Sequence, residues 1–148
     1  MALLLSDTYK QCHDRMYPKG LTKLVSYWVP RKSMLKKQNK MVFFGLQAFI
    51  GEYLMEYLQK NFFELSEKEM LDLYTASMDI QIGRKNYDLE KIVELHKLGY
   101  LPLEIRALPE GTLVPMGVPC IEITNTHDHF AWLVQWIECI LQVELWKG

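Results

Sequence analysis

Hydrophobic residues recur at spacings of three and four in two long segments, and this is the periodicity of an amphipathic helix. The first segment covers residues 42–58 and the second covers residues 88–98, after which Gly99 is a typical helix stop. Between them, Ser66 and Glu69 have the spacing of a capping box, in which a hydroxyl and a carboxylate each bind a free backbone amide. The pattern therefore predicts three helices in the middle of the chain.

Period-two alternation replaces this pattern in four shorter segments that are rich in β-branched and aromatic residues. These predicted strands are residues 22–29, 101–107, 112–114 and 120–124. The basic stretch 31–40 has no periodicity, so we interpret it as a loop. Strands and helices together predict an α+β fold, in which one small, mostly antiparallel sheet is flanked by helices.

The last helical segment, residues 128–145, is apolar around most of its surface, and we expect Asn125 or Thr126 to cap it. The large apolar residues in and after it are Phe130, Leu133, Trp136, Ile137, Ile140, Leu141 and Trp146. Three explanations remain open: a second copy covers this helix, the chain is the front part of a longer protein, or the helix lies in a small core. The first predicts a homo-oligomer, most simply a two-fold dimer with an interface above about 1,000 Å², anchored by Trp132 and Trp136.

The composition is that of a single globular domain covering residues 1–148, with 49% hydrophobic and 24% charged residues. The cysteines Cys12, Cys120 and Cys139 form no CxxC pair, which argues against a disulfide framework and fits a reducing compartment. The apolar run at the start is too short for a signal peptide, and residues 130–146 are too short and too polar for a membrane span. We therefore expect a cytoplasmic protein with no membrane partner.

The net charge of −1 hides an uneven distribution of charge along the chain. Residues 10–40 contain nine basic residues and one acid, whereas residues 52–94 contain ten acids and five bases. Either these stretches are two solvated faces of opposite sign, or the basic stretch binds phosphate groups. A nucleic-acid partner is not expected, because the lysines of the basic stretch lack interleaved aromatic residues.

The candidate functional residues are of a binding type and lie near the N-terminus. Asp7 is placed to cap a short helix over residues 10–16, and Tyr9 offers a flat face for stacking on a heteroaromatic ring. Asp7 also offers an acceptor for an amide, and Arg31 can present a guanidinium to phosphate oxygens. The structural alternative is that Tyr9 is a core aromatic, Asp7 only a cap and Arg31 a surface charge. The sequence contains no catalytic or metal-binding motif, so the residues alone predict no catalytic group and no metal ligand.

Several blocks of the sequence, taken in order, resemble the N-terminal part of the nicotinamide phosphoribosyltransferases. The first block is Ser6, Asp7, Thr8, Tyr9 and Lys10, followed by His13, Tyr17 and Pro18. The later blocks are residues 25–28 leading to Arg31, then 43–47, 101–111, 125–126 and 132–141. Their order and their gaps agree with the family over nearly the whole chain.

The resemblance implies the N-terminal part of a type II phosphoribosyltransferase-like enzyme. Such an enzyme transfers phosphoribosyl from phosphoribosyl pyrophosphate to nicotinamide in NAD biosynthesis, with magnesium, and releases nicotinamide mononucleotide and diphosphate. The resemblance also implies a homodimer with two composite sites, in which this segment serves the neighbouring subunit. There Tyr9 would stack on the pyridine ring, Asp7 would lie beside it, and Arg31 would meet phosphate.

Members of the family are several times longer than this chain. The resemblance therefore places the barrel-type catalytic domain and every catalytic residue outside it, so we expect the chain alone to bind no cofactor and to be inactive. Two alternatives remain open. A truncated paralogue without activity would bind a partner protein through the apolar last helix, and a member of the nicotinate branch would use nicotinate as the base.

Overall fold

A computed structural model describes residues 1–84 and 86–145 of the chain. The five strands are β1 (Val25–Trp28), β2 (Lys40–Val42), β3 (Leu103–Ala107), β4 (Leu113–Pro115) and β5 (Ile121–Asn125). β5 lies in the middle of a three-stranded antiparallel sheet, with β1 on one side and β3 on the other. Ile123 of β5 is opposite Ser26 of β1 and Ile105 of β3. The predicted α+β class and its antiparallel sheet are confirmed.

The structure corrects the prediction of a single sheet, because β4 joins β2 in a separate antiparallel pair. β2 begins at Lys40, in the stretch that we interpreted as a loop. Gly117 explains the separation of β4 from β5. Its φ of 86° lies in the left-handed region, and this turns the chain so that the Gly117 amide donates to the Pro30 carbonyl at 2.7 Å.

The helices are α1 (Leu46–Phe49), α2 (Glu67–Gln81), α3 (Glu90–Leu98), α4 (Leu133–Trp136) and α5 (Glu138–Leu145). π-helical turns extend α1 over Ile50–Tyr57 and Gln59–Phe63, and 3-10 turns cover Ala2–Leu4, Thr8–Met16 and Asp128–Phe130. The helix predicted from residue 42 begins later, because Val42 belongs to β2. The capping box of Ser66 and Glu69 is confirmed, and Gly99 ends α3 as predicted. Within the described ranges, no helix is long and apolar enough to cross a membrane.

The last segment, predicted as one helix over residues 128–145, is instead divided into a 3-10 turn, α4 and α5. It contains no proline or glycine, so we attribute the break to contacts with the rest of the chain. At the break, the backbone carbonyl of Gln135 accepts a hydrogen bond from the Lys10 ammonium at 2.9 Å. An unbroken helix would direct that carbonyl towards the amide of Cys139 instead.

The predicted caps of this segment are also wrong. His127 precedes the 3-10 turn, and its Nδ1 accepts from the His129 amide at 3.3 Å. The Asn125 side chain is buried and holds the start of β1 instead. Its oxygen accepts from the Leu24 amide at 2.9 Å, and its nitrogen donates to the Thr22 carbonyl at 2.8 Å.

Two hydrophobic cores lie against the last helical segment. The first, between the helices, includes Phe62, Met70, Tyr74, Ile92, Leu133 and Trp136. The second, against the sheets, includes Phe43, Phe49, Ile121, Ile123, Val134, Ile137 and Leu141. Leu133 and Val134 are neighbours in α4 and enter different cores. This segment is therefore apolar on most sides because it serves both cores.

The chain itself covers most of the apolar side chains of this segment, although Val143 is 60% exposed. Trp132 is 7% exposed and Trp136 is 4% exposed, with their rings packed edge to face at 4.9 Å. An interface anchored on these two rings would require the fold to open, which corrects the expectation that they are surface anchors. A homo-oligomer remains a prediction, but it needs other surfaces. Trp146, which we counted with this apolar group, lies outside the described residues.

Replacing Ser66 with alanine tests the start of α2. The Ser66 hydroxyl accepts from the Glu69 amide at 3.3 Å, and the Glu69 carboxylate accepts from the Ser66 amide at 3.0 Å. We expect S66A to lower the free energy of unfolding by about 1 kcal/mol, as measured by urea denaturation at pH 7. S77A, inside the same helix, is the matched control. An equal loss in both variants would contradict the capping role.

The same contact makes a pH-dependent contribution to stability. Hydrogen bonds from the Ser66 side chain and backbone hold the pKa of Glu69 below its usual value. The contribution is therefore complete above the unfolded-state pKa of Glu69, and it is lost as the pH falls through the lower folded-state pKa. We expect the difference in free energy of unfolding between the wild type and S66A to shrink as the pH falls through that acidic range.

Candidate functional site

Asp7 lies just before the 3-10 turn Thr8–Met16, as the sequence suggested, but its side chain does not cap that turn. Its Oδ2 accepts a hydrogen bond from the Cys139 thiol at 3.0 Å, and its backbone amide donates to Cys139 Sγ at 3.2 Å. Burial and the hydrogen bond to Asp7 raise the pKa of Cys139, so this thiol stays protonated and acts as a donor. The Asp7 side chain, which we predicted to cap a helix, therefore contacts a residue 132 positions away in the sequence.

Lys10 is the buried member of the N-terminal block. Its side chain is 3% exposed, and its ammonium is paired with the Glu138 carboxylate. The ammonium also donates to the Gln135 carbonyl at 2.9 Å. A buried cation is costly unless it is paired and hydrogen-bonded, and both conditions hold here. The charge of Lys10 is thus compensated inside the protein and is not offered to a ligand.

Tyr9, unlike Lys10, is exposed to solvent. Its side chain is 58% exposed, so it is not the core aromatic of the structural alternative. The His13 ring packs edge-on against it, with centroids 5.3 Å apart, and the Lys10 ammonium lies 5.7 Å from the centre of the Tyr9 ring. The ring is thus supported by neighbours and still open to a stacking partner.

Arg31 is exposed and lines a cavity of about 550 Å³. One wall comes from β1 and the chain after it, and includes Tyr27 and Lys32. The other comes from α4 and α5, and includes Gln135 and Glu138. Arg31 and Lys32 also border a second cavity of about 470 Å³. Arg31 therefore borders two open clefts, each large enough in volume to admit a phosphate group.

The structure brings Asp7 and Tyr9 together but leaves them outside the group of residues that line the cavity beside Arg31. The link between the two places is the first turn of α5. Glu138 lines the cavity and holds Lys10, while Cys139, the next residue, holds Asp7. One turn of the chain therefore serves both parts of the candidate site.

The sequence analysis did not identify Glu138 and Cys139 as part of the site, and it gave Lys10 no partner. No local signal identifies the first two, because a glutamate and a cysteine in an amphipathic helix are ordinary residues. A cluster of metal ligands is not seen either: residues 1–84 and 86–145 contain no group of three His, Cys, Asp or Glu side chains that could hold an ion.

Comparisons with known proteins identify the family of this chain. Residues 1–105 match the family described as "Nicotinamide phosphoribosyltransferase, N-terminal domain". A nicotinamide phosphoribosyltransferase of Acinetobacter baylyi (strain ATCC 33305 / BD413 / ADP1) is 42% identical over 147 residues, which cover 96% of this chain and 29% of that protein. One of Xanthomonas campestris pv. campestris (strain 8004) is 27% identical over 139 residues, covering 94% of this chain and 27% of that protein.

The solved structures add a likeness in fold. The crystal structure of human nicotinic acid phosphoribosyltransferase superimposes with a TM-score of 0.64 at 18% identity, covering 95% of this chain and 25% of that one. The chain thus spans less than a third of the length of each of these relatives. With the family matched over residues 1–105, the chain belongs to the nicotinamide phosphoribosyltransferase family, in the part that forms the N-terminal domain.

Proposed function

We propose that this chain is the substrate-binding N-terminal part of an enzyme that makes nicotinamide mononucleotide and diphosphate from nicotinamide and phosphoribosyl pyrophosphate. The observation that carries the proposal is the Tyr9 side chain, which is 58% exposed although it lies between residues fixed to the body of the protein. A large aromatic ring left open in this way is suited to stacking on a heteroaromatic ring. The names of the two bacterial relatives support the same activity.

Asp7 is the reason that we propose nicotinamide, rather than nicotinate, as the base. Its exposed carboxylate lies two residues from Tyr9 and can accept a hydrogen bond from the amide group of nicotinamide. The carboxylate of nicotinate would instead meet a like charge, which is unfavourable. Arg31 would bind a phosphate of the second substrate, because a guanidinium fork matches phosphate oxygens.

The reaction joins the pyridine nitrogen of nicotinamide to the ribose carbon as the bond from that carbon to diphosphate breaks. Positive charge develops on the ribose in an oxocarbenium-like transition state. Charged groups placed around the reacting carbon stabilise this positive charge and the departing diphosphate. We assign this chain the binding and orientation of the substrates and none of the catalytic residues.

Magnesium would neutralise charge on the diphosphate when it is bound. The described residues group no three carboxylate, imidazole or thiol ligands. The residues present therefore do not fit a magnesium site, and we place none of its ligands here.

We further propose that the complete enzyme is a cytoplasmic homodimer in which these residues serve the site of the other subunit. The side chains of Tyr9 and Arg31 are exposed, which fits a site that another part of the protein completes. The alternative of a non-enzymatic module depended on an exposed apolar helix. The burial of Trp132 and Trp136 supports the enzyme over that alternative.

A hybrid enzyme tests the proposed activity. This chain replaces the corresponding stretch of the Acinetobacter baylyi relative, and mononucleotide formation is followed by chromatography in a host lacking the relative's own gene. We expect the purified 148-residue chain to be inactive and the hybrid to be active. Turnover by the purified chain alone, or a folded hybrid that makes no product, would contradict the proposal.

Single substitutions in the hybrid separate the two binding roles. We expect Y9A to raise the KM for nicotinamide about tenfold, and R31A to raise the KM for phosphoribosyl pyrophosphate by a similar factor, because each removes a contact to one substrate. Y100A and R106A are matched controls at exposed positions outside the site. If Y9A and R31A alter both KM values equally, or behave like the controls, the assigned roles are wrong.

A further inference from the structure

The segment that carries Tyr9 is attached to the body of the protein on both sides of that residue. On one side, Asp7 exchanges two hydrogen bonds with Cys139, at 3.0 and 3.2 Å. On the other side, Lys10 binds Glu138 and the Gln135 carbonyl. All of these partners lie within residues 135–139. Thr8 and Tyr9 are exposed between the two anchors, whose partners lie at the end of α4 and in the first turn of α5.

Of the two anchors, the one at Lys10 places the stricter requirement on the positions of its partners. An ammonium that is 3% exposed requires acceptors in fixed places, and removing them leaves an uncompensated buried charge. The break between α4 and α5 supplies one acceptor, because it leaves the Gln135 carbonyl within 2.9 Å of the ammonium. The other acceptor, Glu138, is in the first turn of α5, where the positive end of the helix favours a carboxylate.

Glu138 also belongs to the wall of the cavity that Arg31 lines. Its side chain is 47% exposed, so it lies at the boundary between that cavity and the buried lysine. The ion pair therefore joins the segment of Tyr9 and Asp7 to the cavity that would receive phosphate. A change in this pair would move the base-binding residues relative to that cavity.

We propose that Lys10 and Glu138 are positioning residues, whose ion pair at the break between α4 and α5 fixes the Tyr9 ring and the Asp7 carboxylate in the orientation that binds the base. This inference rests on the proposed function. In this assignment both residues act through Tyr9 and Asp7, although Glu138 also lines the cavity beside Arg31. A methionine at position 10 would fill the space of the lysine stem and leave the half-exposed Glu138 to water. K10M should therefore keep the fold while releasing the segment.

The first measurement uses the purified chain and needs no activity. We expect K10M to keep the far-ultraviolet circular dichroism of the wild type, but to exchange the backbone amides of residues 6–10 at least about tenfold faster, since a held segment exchanges only when it opens. Iodoacetamide should also modify Cys139 faster. K97M is the matched control, because Lys97 forms an exposed ion pair with Glu67 at 3.7 Å. A K10M chain with unchanged exchange would overturn the inference.

The second measurement uses the hybrid enzyme. We expect K10M to raise the KM for nicotinamide about tenfold, with kcat and the KM for phosphoribosyl pyrophosphate within about twofold of the parent, since only base binding is misaligned. E138A should act in the same direction. E138Q, which keeps a neutral acceptor, should restore part of the effect, whereas a merely structural role would not give this graded change in one KM.

The two proposals fail in different ways. An inactive but folded parent hybrid contradicts the proposed function, and the positioning role is rejected with it. An active parent whose K10M and E138A variants keep the parental KM for nicotinamide contradicts the positioning role alone. If K10M does not fold, the comparison of E138A with E138Q decides, since Glu138 is half exposed.

Discussion

The structure depends on the burial of one short helical segment by two hydrophobic cores. α4 and α5 contribute Leu133 and Trp136 to the core between the helices, and Val134, Ile137 and Leu141 to the core against the sheets. Each large apolar side chain removed from water contributes about 1.5–3 kcal/mol. A segment shared in this way joins the helical and sheet layers of the fold, so neither layer forms its full core without it.

The same segment explains why the N-terminal residues are ordered enough to form part of a site. An exposed segment at the start of a chain is usually mobile unless it is tied down. Here Asp7 and Lys10 are held by residues 135–139, and Trp136 donates to the Leu3 carbonyl at 2.9 Å. Deeper in the helical core, Gln11 accepts from the Tyr74 hydroxyl at 2.8 Å. The result is an open tyrosine ring on a fixed backbone, which is the arrangement that binding a planar base requires.

The local features of the fold were predictable from the sequence. The Ser66 capping box, the Gly99 helix stop and the alternating strands follow from neighbouring residues, and all are present in the structure. β2 was not predictable, because three residues beginning with a lysine carry too little pattern to distinguish a strand from a loop. The break after Trp136 was also missed, because it coincides with a contact to Lys10, which is 125 positions from Gln135.

The candidate site, like the fold, was only partly predictable from the sequence. The residue types Asp7, Tyr9 and Arg31 indicated a binding site, and their resemblance to a family block gave each a role. The partners that orient them, Glu138 and Cys139, come from the far end of the chain. Pairings over such distances are set by the packed fold, and a single sequence contains no direct record of them. The exposure of Tyr9 likewise depends on where its neighbours fold.

Amide hydrogen exchange in the last helical segment tests the central claim most directly. If α4 and α5 are buried by their own chain, their amides should be among the slowest to exchange, and should open only with global unfolding. Their protection should not change when the protein is diluted tenfold. Rapid exchange of residues 133–145 would contradict this account, because the segment would then not be buried. Protection that disappears on dilution would also contradict it, because another molecule would then be covering the segment.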